Sequence, residues 1–454
     1  MFEKVLIANR GEIACRIIRA CKELGVRTVA VYSEADRESL HVKQADEAIC
    51  VGPPPNDQSY LDMPNVLMAA VISGADAVHP GYGYFSEREN FADALQAIGI
   101  KFIGPPIDAI AQMGDKARAR EAAIRAGCPV VPGSDGVVKT EGEALEIAEA
   151  IGYPLLIKAA AGGGGRGIRK ATDPDNLLQQ MKTAQQEAEA SFGSGAVYIE
   201  KLIENPRHVE VQVIADVYGN CVHLGERECS VQNLRHQKMV EEAPFALMDP
   251  DKRQEMGAAA VRIAREVGYV NAGTIEFLMD AEGNYYFIEM NTRLQVEHPV
   301  TEQVTGIDIV KTMIQIAAGH ELPFSQEDIT WAGHAIEARV TAEDPSRNFA
   351  PSCGRIEEWD PPRAEHIRIE SHLYKGFEIS PYYDPMVAKL IVTADDRPAA
   401  VERLQRALDD FRIEGISTNI PFLKQLVRTD AFVKGDVHTQ TVAEMMSRAE
   451  VHAG

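Results

Sequence analysis

The chain has 454 residues, 45% of them hydrophobic and 25% charged, which fits about three packed units of ~150 residues and excludes a disordered polymer. Lys and Arg total 46 against 68 Asp and Glu, a net charge of −22 that repels nucleic acid and anionic membranes, so anionic substrates must be met by local basic clusters. No apolar run approaches the ~20 residues that span a bilayer, and Val5 to Ala8 is too short for a secretory core. The seven cysteines form no C-x-x-C pair, so the chain reads as a cytoplasmic protein with reduced, mostly buried thiols.

Lys4 to Ala8 reads as a strand. Ile13, Ile17, Ile18, Cys21 and Leu24 then fall at helical spacing before Gly25, and Arg27 to Ser33 begins the next strand. This βαβ pattern continues through Ala75 to Val78 and Lys101 to Ile103, giving an open α/β domain over the first ~110 residues. A smaller, lid-like unit is expected from Pro132 to about Ile203, with a helix over Glu141 to Ile151 and strands at Leu155 to Lys158 and Val197 to Lys201. Val209 to Ala215 and Cys221 to Gly225 read as strands, Asp249 with Pro250 caps a helix that ends near Gly268, and a hairpin occupies 273 to 290. Beyond Gly333 come strand-like stretches, and then Val401, Leu404, Leu408 and Phe411 form an apolar helical stripe.

Two stretches carry chemistry. Gly162 to Gly165 with Arg166 and Gly167 satisfy G-x-G-x-x-G, but a short strand follows instead of a helix, so this is a glycine-rich hairpin and not a dinucleotide fingerprint. Backbone N–H groups free of side chains suit a flap over phosphates, within reach of Lys158; an unliganded surface hairpin gives the same glycines. Further on, Glu289, Asn291, Arg293, Gln295 and Glu297 alternate with mostly apolar neighbours and so share one face of a strand. A solvated edge strand would alternate likewise. The preceding strand, Gly273 to Leu278, would set Glu276 opposite Glu289, an arrangement that hard cations can neutralise, making Glu276, Glu289 and Asn291 candidate magnesium ligands.

Taken in order, Ile7-Ala8-Asn9-Arg10-Gly11-Glu12, His79-Pro80-Gly81-Tyr82-Gly83 and Met113-Gly114-Asp115-Lys116 are followed by the glycine flap and Glu200-Lys201. Asn205-Pro206-Arg207-His208, His236-Gln237-Lys238, Glu289-Met290-Asn291-Thr292-Arg293, Gln295-Val296-Glu297-His298 and Arg339 complete the set. With these motifs the whole chain resembles the biotin carboxylase family of the ATP-grasp superfamily. The resemblance implies an α/β, multidomain (α+β) ATP-grasp fold: an N-terminal Rossmann-like pre-ATP-grasp domain (1–114), an ATP-grasp domain (115–334) with its lid at about 132–203, a C-terminal biotin carboxylase domain (335–446) and a tail (447–454). One departure is a single extra residue in Gln232-Asn233-Leu234-Arg235-His236-Gln237-Lys238.

The resemblance also implies roles. ATP would be held by Lys116, Lys158, Gly163, Gly164, Gly165, Glu200, Lys201, Ile203, His208, Gln232, His236, Glu276 and Glu289, with two Mg²⁺ (or Mn²⁺) ions on Glu276, Glu289 and Asn291. Lys238, Arg293, Gln295, Val296 and Glu297 would surround bicarbonate, with Glu297 as base. Tyr82 and Arg339 would border biotin, Arg339 stabilising its enolate. No Ala-Met-Lys-Met site occurs, so biotin is expected on a separate biotin carboxyl carrier protein, with carboxyltransferase subunits as further partners of a homodimer. The commonest such setting is acetyl-CoA carboxylase; pyruvate or another acyl-CoA as acceptor, and a different ATP-grasp ligase, are the alternatives.

Overall fold

A computed structural model describes residues 1–159, 168–192 and 195–453. The flap glycines Gly163, Gly164 and Gly165 lie outside the described residues. The chain divides into two compact units, one formed by Met1–Cys128, Arg207–Phe277 and Glu289–Gly454, the other by Pro129–Pro206 and Leu278–Ile288.

The first unit opens with a parallel sheet whose strands run in the order Glu47–Gly52, Arg27–Ser33, Lys4–Ile7, Ala77–His79 and Lys101–Phe102. The helix Gly11–Glu23 buries Ile13, Ile17, Ile18 and Cys21, the stripe that the 3.6-residue period predicts. Gly25 ends this helix at a φ of +72°, a conformation open to glycine.

The same unit holds most of a larger sheet, ordered among the described residues as Tyr285–Asn291, Asn271–Met279, Arg207–Ala215, Cys221–Gln232, Lys238–Ala243, His334–Thr341, Met386–Ala394 and Ile367–Ser371. Its last strands pack Ile336, Ala338, Val340, Leu390 and Val392 against Leu404 and Leu408 of the helix Arg397–Asp410. The alternate residues Glu337, Arg339 and Lys389 lie on the opposite face, with Arg339 directly across from Lys389 and Glu241 across from Glu337. The helix His298–Thr305 covers that face, burying Val300 and Val304 against Ala335 and Ile391.

The second unit is an antiparallel sheet of Ile168–Ala171, Leu155–Ala159 and Val197–Lys201 with the helices Glu141–Ile151 and Pro174–Phe192. Leu155, Ile157, Val197 and Ile199 meet Leu177 and Met181 in its core. The Thr140 hydroxyl caps the first of these helices by accepting from Glu143 N at 3.1 Å.

The seven cysteines are all unbridged; Cys50 and Cys353 are exposed and the other five buried. No helix among the described residues is long and apolar enough to cross a membrane.

One buried pair ties stability to pH. Glu228 and Glu242 are cross-strand neighbours, and Glu242 is held by His334 Nε2 at 3.1 Å and Arg397 Nε at 2.8 Å. Burial, then the Glu242 charge, pushes the Glu228 carboxyl up to about 8. The folded chain therefore keeps a proton that the unfolded chain releases near the ordinary value of 4.5, so this contribution is complete at acid pH and is lost as pH rises toward about 8. Glu228→Gln is expected to flatten that decline. Urea midpoints at about pH 5 and about pH 8 test it: equal falls in both proteins would contradict the assignment.

Candidate active site

Glu210, Arg227, Lys238 and Glu276 lie on four strands of the large sheet, and Glu297 immediately precedes the helix His298–Thr305. Arg227 is fully buried and places all five of its N–H groups: Nε donates to Glu210, Nη1 to Gln212 Oε1 (2.8 Å) and Thr301 Oγ1 (3.0 Å), and Nη2 to Thr274 Oγ1 (3.1 Å) and Gln295 Oε1 (2.7 Å). Above it, the Lys238 ammonium donates to Glu210 Oε2 (2.6 Å), Glu276 Oε1 (3.1 Å) and Glu297 Oε1 (2.6 Å). Burial alone would strip Lys238 of its proton, but the three carboxylates hold it well above the usual lysine value.

Glu297 is buried and uses both oxygens, the second accepting from Arg339 Nη2 at 2.9 Å. Burial would raise its carboxyl; Lys238, Arg339 and Arg227 outweigh burial and keep it well below the usual range, hence ionised. Arg339 is aimed by Glu241, which accepts from its Nε at 2.5 Å. Gln295 donates to Glu276 Oε1 at 2.8 Å, and the Val296 carbonyl accepts from Lys389 Nζ at 2.8 Å. Arg293 donates from Nε to Glu87 (2.8 Å) and from Nη2 to Asn291 Oδ1 (2.7 Å).

Glu276 Oε1 thus receives Lys238, Gln295 and also Asn291 Nδ2, at 2.8 Å. Its Oε2 lies 3.1 Å from His208 Nε2, whose N–H has no aligned acceptor. Gln232 Nε2 sits 3.1 Å from His208 Nδ1, which assigns that nitrogen as the acceptor. Glu289 presents its side chain to solvent, yet the surrounding protein and then the Glu276 charge push its carboxyl above the usual range, with Lys116 opposing. The ionised Glu276, held against its burial well below the usual carboxylate range by Lys238 and His208, and the neighbouring Glu289, pushed above it, form a like-charged pair that fits a hard divalent cation. The Asn291 amide is committed at both ends to protein partners.

Other expected residues fall elsewhere. Lys116 opens the helix Lys116–Arg125 and is exposed, His236 is exposed in the 233–237 turn, and Tyr82 donates its hydroxyl to Glu12. Within the second unit Lys158 pairs with Glu200, Lys201 Nζ donates to the Tyr153 carbonyl at 2.7 Å, and Ile203 is half-buried. The extra residue at 233–234 is absorbed in the turn: Asn233 Oδ1 accepts from Arg235 N (2.8 Å) and Gln237 N (3.1 Å), and Gln232 still pairs with Lys238.

Sequence reading assigned no individual role to Glu12, Glu87 or Glu210, which lie in or beside the motifs, and none to Arg227, Glu241 or Lys389. Charge in otherwise apolar strands was the available signal, and Glu226-Arg227-Glu228 carries it most clearly.

Three family models match consecutive segments: "Biotin carboxylase, N-terminal domain" over residues 1–110, "Carbamoyl-phosphate synthase L chain, ATP binding domain" over 115–325, and "Biotin carboxylase C-terminal domain" over 337–444. A biotin carboxylase of Nostoc sp. is 52% identical over 98% of this chain and 99% of its own length. The small subunit of the 2-oxoglutarate carboxylase of Hydrogenobacter thermophilus is also 52% identical, over 98% of this chain and 94% of its own. The biotin carboxylase domain dimer of that carboxylase, solved with MgADP, ADP and bicarbonate, superposes with a TM-score of 0.89 at 52% identity and 98% coverage of both chains. Fold and site together define an ATP-dependent ligase on an ATP-grasp scaffold. The chain belongs to the biotin carboxylase family, and its reaction is the ATP-dependent carboxylation of biotin.

Arg227 is the buried hub beneath this chemistry. Arg227→Met leaves Glu210 buried without its guanidinium and is expected to cost about 3–5 kcal/mol of stability. Urea unfolding measures it; a loss under ~1 kcal/mol would contradict the hub role.

Proposed function

We propose that this chain performs the first half-reaction of a multi-subunit acetyl-CoA carboxylase, carboxylating biotin carried on a separate biotin carboxyl carrier protein. Carboxyltransferase subunits then pass the carboxyl group to acetyl-CoA, forming malonyl-CoA for fatty acid synthesis. The chain works in the cytoplasm as a homodimer, a reading supported by the dimeric domain of its 2-oxoglutarate carboxylase relative.

The observation that carries the chemistry is Glu297, buried and ionised between Lys238 and Arg339. Lys238, Arg293, Gln295 and the Val296 backbone surround bicarbonate, whose oxygen attacks the γ-phosphorus of ATP and displaces ADP. Such a transfer depends mainly on position and charge neutralisation. Bicarbonate draws Lys238 and Arg339 toward its own charge, which raises the Glu297 carboxyl from its depressed value and lets it take the bicarbonate proton. Carboxyphosphate then yields CO₂ and phosphate; the phosphate removes the ureido proton of biotin, whose nitrogen attacks CO₂, while Arg339 faces the enolate oxygen and Tyr82 borders the ring.

Lys116, Lys158 and Gly163 to Gly165 hold the ATP phosphates; Glu200, Lys201, Ile203, Gln232, His236 and His208 hold its base and ribose. Glu276 and Glu289, with Asn291 once Arg293 releases its oxygen, hold magnesium. When bound there, magnesium would supply positive charge to offset that of the ATP phosphates.

The second reading, a subunit acting for 2-oxoglutarate or pyruvate, is favoured by the 2-oxoglutarate carboxylase relative of equal identity. Labelled bicarbonate passed through carrier and carboxyltransferase to acetyl-CoA supports the first reading; label in a 2-oxo acid supports the second.

The decisive assay is ATP hydrolysis with Mg²⁺ and bicarbonate, with and without free biotin. Turnover that requires bicarbonate and rises with biotin is expected; turnover indifferent to both points to a different ATP-grasp ligase. Glu297→Gln is expected to lower biotin-dependent turnover by at least about 100-fold while ATP still binds, and near-normal activity removes it as base. Glu289→Gln is expected to shift the Mg²⁺ titration of the same assay to higher concentration, and an unaltered titration removes it as a ligand.

A further inference from the structure

Lys389 lies on the strand Met386–Ala394 and is fully buried, an environment in which lysine is rare unless paired. Its ammonium donates to the Val296 carbonyl at 2.8 Å and lies 3.2 Å from Glu12 Oε1. That same Glu12 oxygen accepts the Tyr82 hydroxyl, and Glu12 Oε2 has no protein partner. One cation thus touches both arms of the site: the backbone between Gln295 and Glu297, and the side chain that holds Tyr82. Its register opposite Arg339 places it on the sheet face that carries the chemistry. No step of the mechanism uses it, and its burial keeps it from substrate.

We propose that Lys389 is a positioning residue that sets the bicarbonate arm through the Val296 carbonyl and the biotin arm through Glu12 and Tyr82. This rests on the functional reading above. The Val296 carbonyl leads directly into Glu297, so its hydrogen bond to Lys389 fixes where the base stands relative to bicarbonate. An uncorrected displacement of about 1 Å at such a position lowers a rate by about 100-fold. Glu12 accepts two donors on one oxygen, so removing either donor frees the carboxylate to turn and releases the other.

The test compares Lys389→Met, Glu12→Gln and the double variant in the bicarbonate- and biotin-dependent ATPase assay. Lys389→Met is expected to raise KM for bicarbonate and for biotin by about tenfold each and to lower kcat by about 100-fold, while KM for ATP stays within about twofold. Glu12→Gln is expected to raise KM for biotin alone. Unchanged KM values for both bicarbonate and biotin in Lys389→Met overturn the proposal, and so does a parallel rise in all three, which marks a structural residue. If Lys389→Met does not fold, the double variant decides, because it removes the buried charge pair together: a bicarbonate KM raised about tenfold supports the positioning role and a normal one overturns it. Wild-type turnover indifferent to bicarbonate would instead remove the functional reading, a result separate from any effect of the variants.

Discussion

The site depends on one ammonium ion shared by three carboxylates. Glu210 and Glu276 come from two strands, Glu297 from the start of a helix, and Lys238 from a further strand, so a single charge ties four elements to one point. At the effective dielectric of a protein, charges ~4 Å apart interact by about 4 kcal/mol, enough for the carboxylates to force one another apart or take up protons without their cation. Arg227 closes the cluster from below, its fork fully used on Glu210 and neighbouring polar groups. Such clusters are weak contributors to net stability, but they fix geometry.

The same arrangement prepares the chemistry. A base paired with two cations is ionised and waiting, but it is a poor proton acceptor until those cations find another anion. Bicarbonate is such an anion. In the mechanism we propose, substrate binding and activation of the base therefore become one event, because the charges that would draw the substrate in are those that hold the carboxylate ionised. An overall charge of −22 is no obstacle to that reading, since Lys238 and Arg339 are brought together on neighbouring strands of the large sheet.

Much of this was legible in the sequence. Helical spacing at Ile13, Ile17, Ile18 and Cys21 marked the first helix, but the strand face expected from Glu289 to Glu297 stops at Asn291. Arg293 and Gln295 follow outside the strand and Glu297 takes the N-cap position of the next helix, because His298 and Pro299 start a helix that a period-two reading does not register. The cap at Asp249 is present as expected, its carboxylate accepting from Asp251 N and Lys252 N. The strand expected at Cys221 to Gly225 instead runs on to Gln232. Three successive charges, Glu226, Arg227 and Glu228, continue that strand inside the protein: Arg227 is satisfied by the distant Thr274, Gln295 and Thr301, and Glu226 by Arg253. The pairing of Glu12 with Lys389 was invisible for the same reason: an ion pair across 377 positions has no local pattern.

The large sheet has a dry face of Ile336, Ala338, Leu390 and Val392 and a charged face of Glu241, Glu337, Arg339 and Lys389. On the dry face apolar residues of similar volume can replace one another singly as the family drifts. On the charged face each residue answers to a partner on another strand, so a lone exchange strands a buried charge and only compensated pairs survive. The two sides of one sheet are therefore set to evolve at different tempos, the apolar side residue by residue and the ionic side in linked steps.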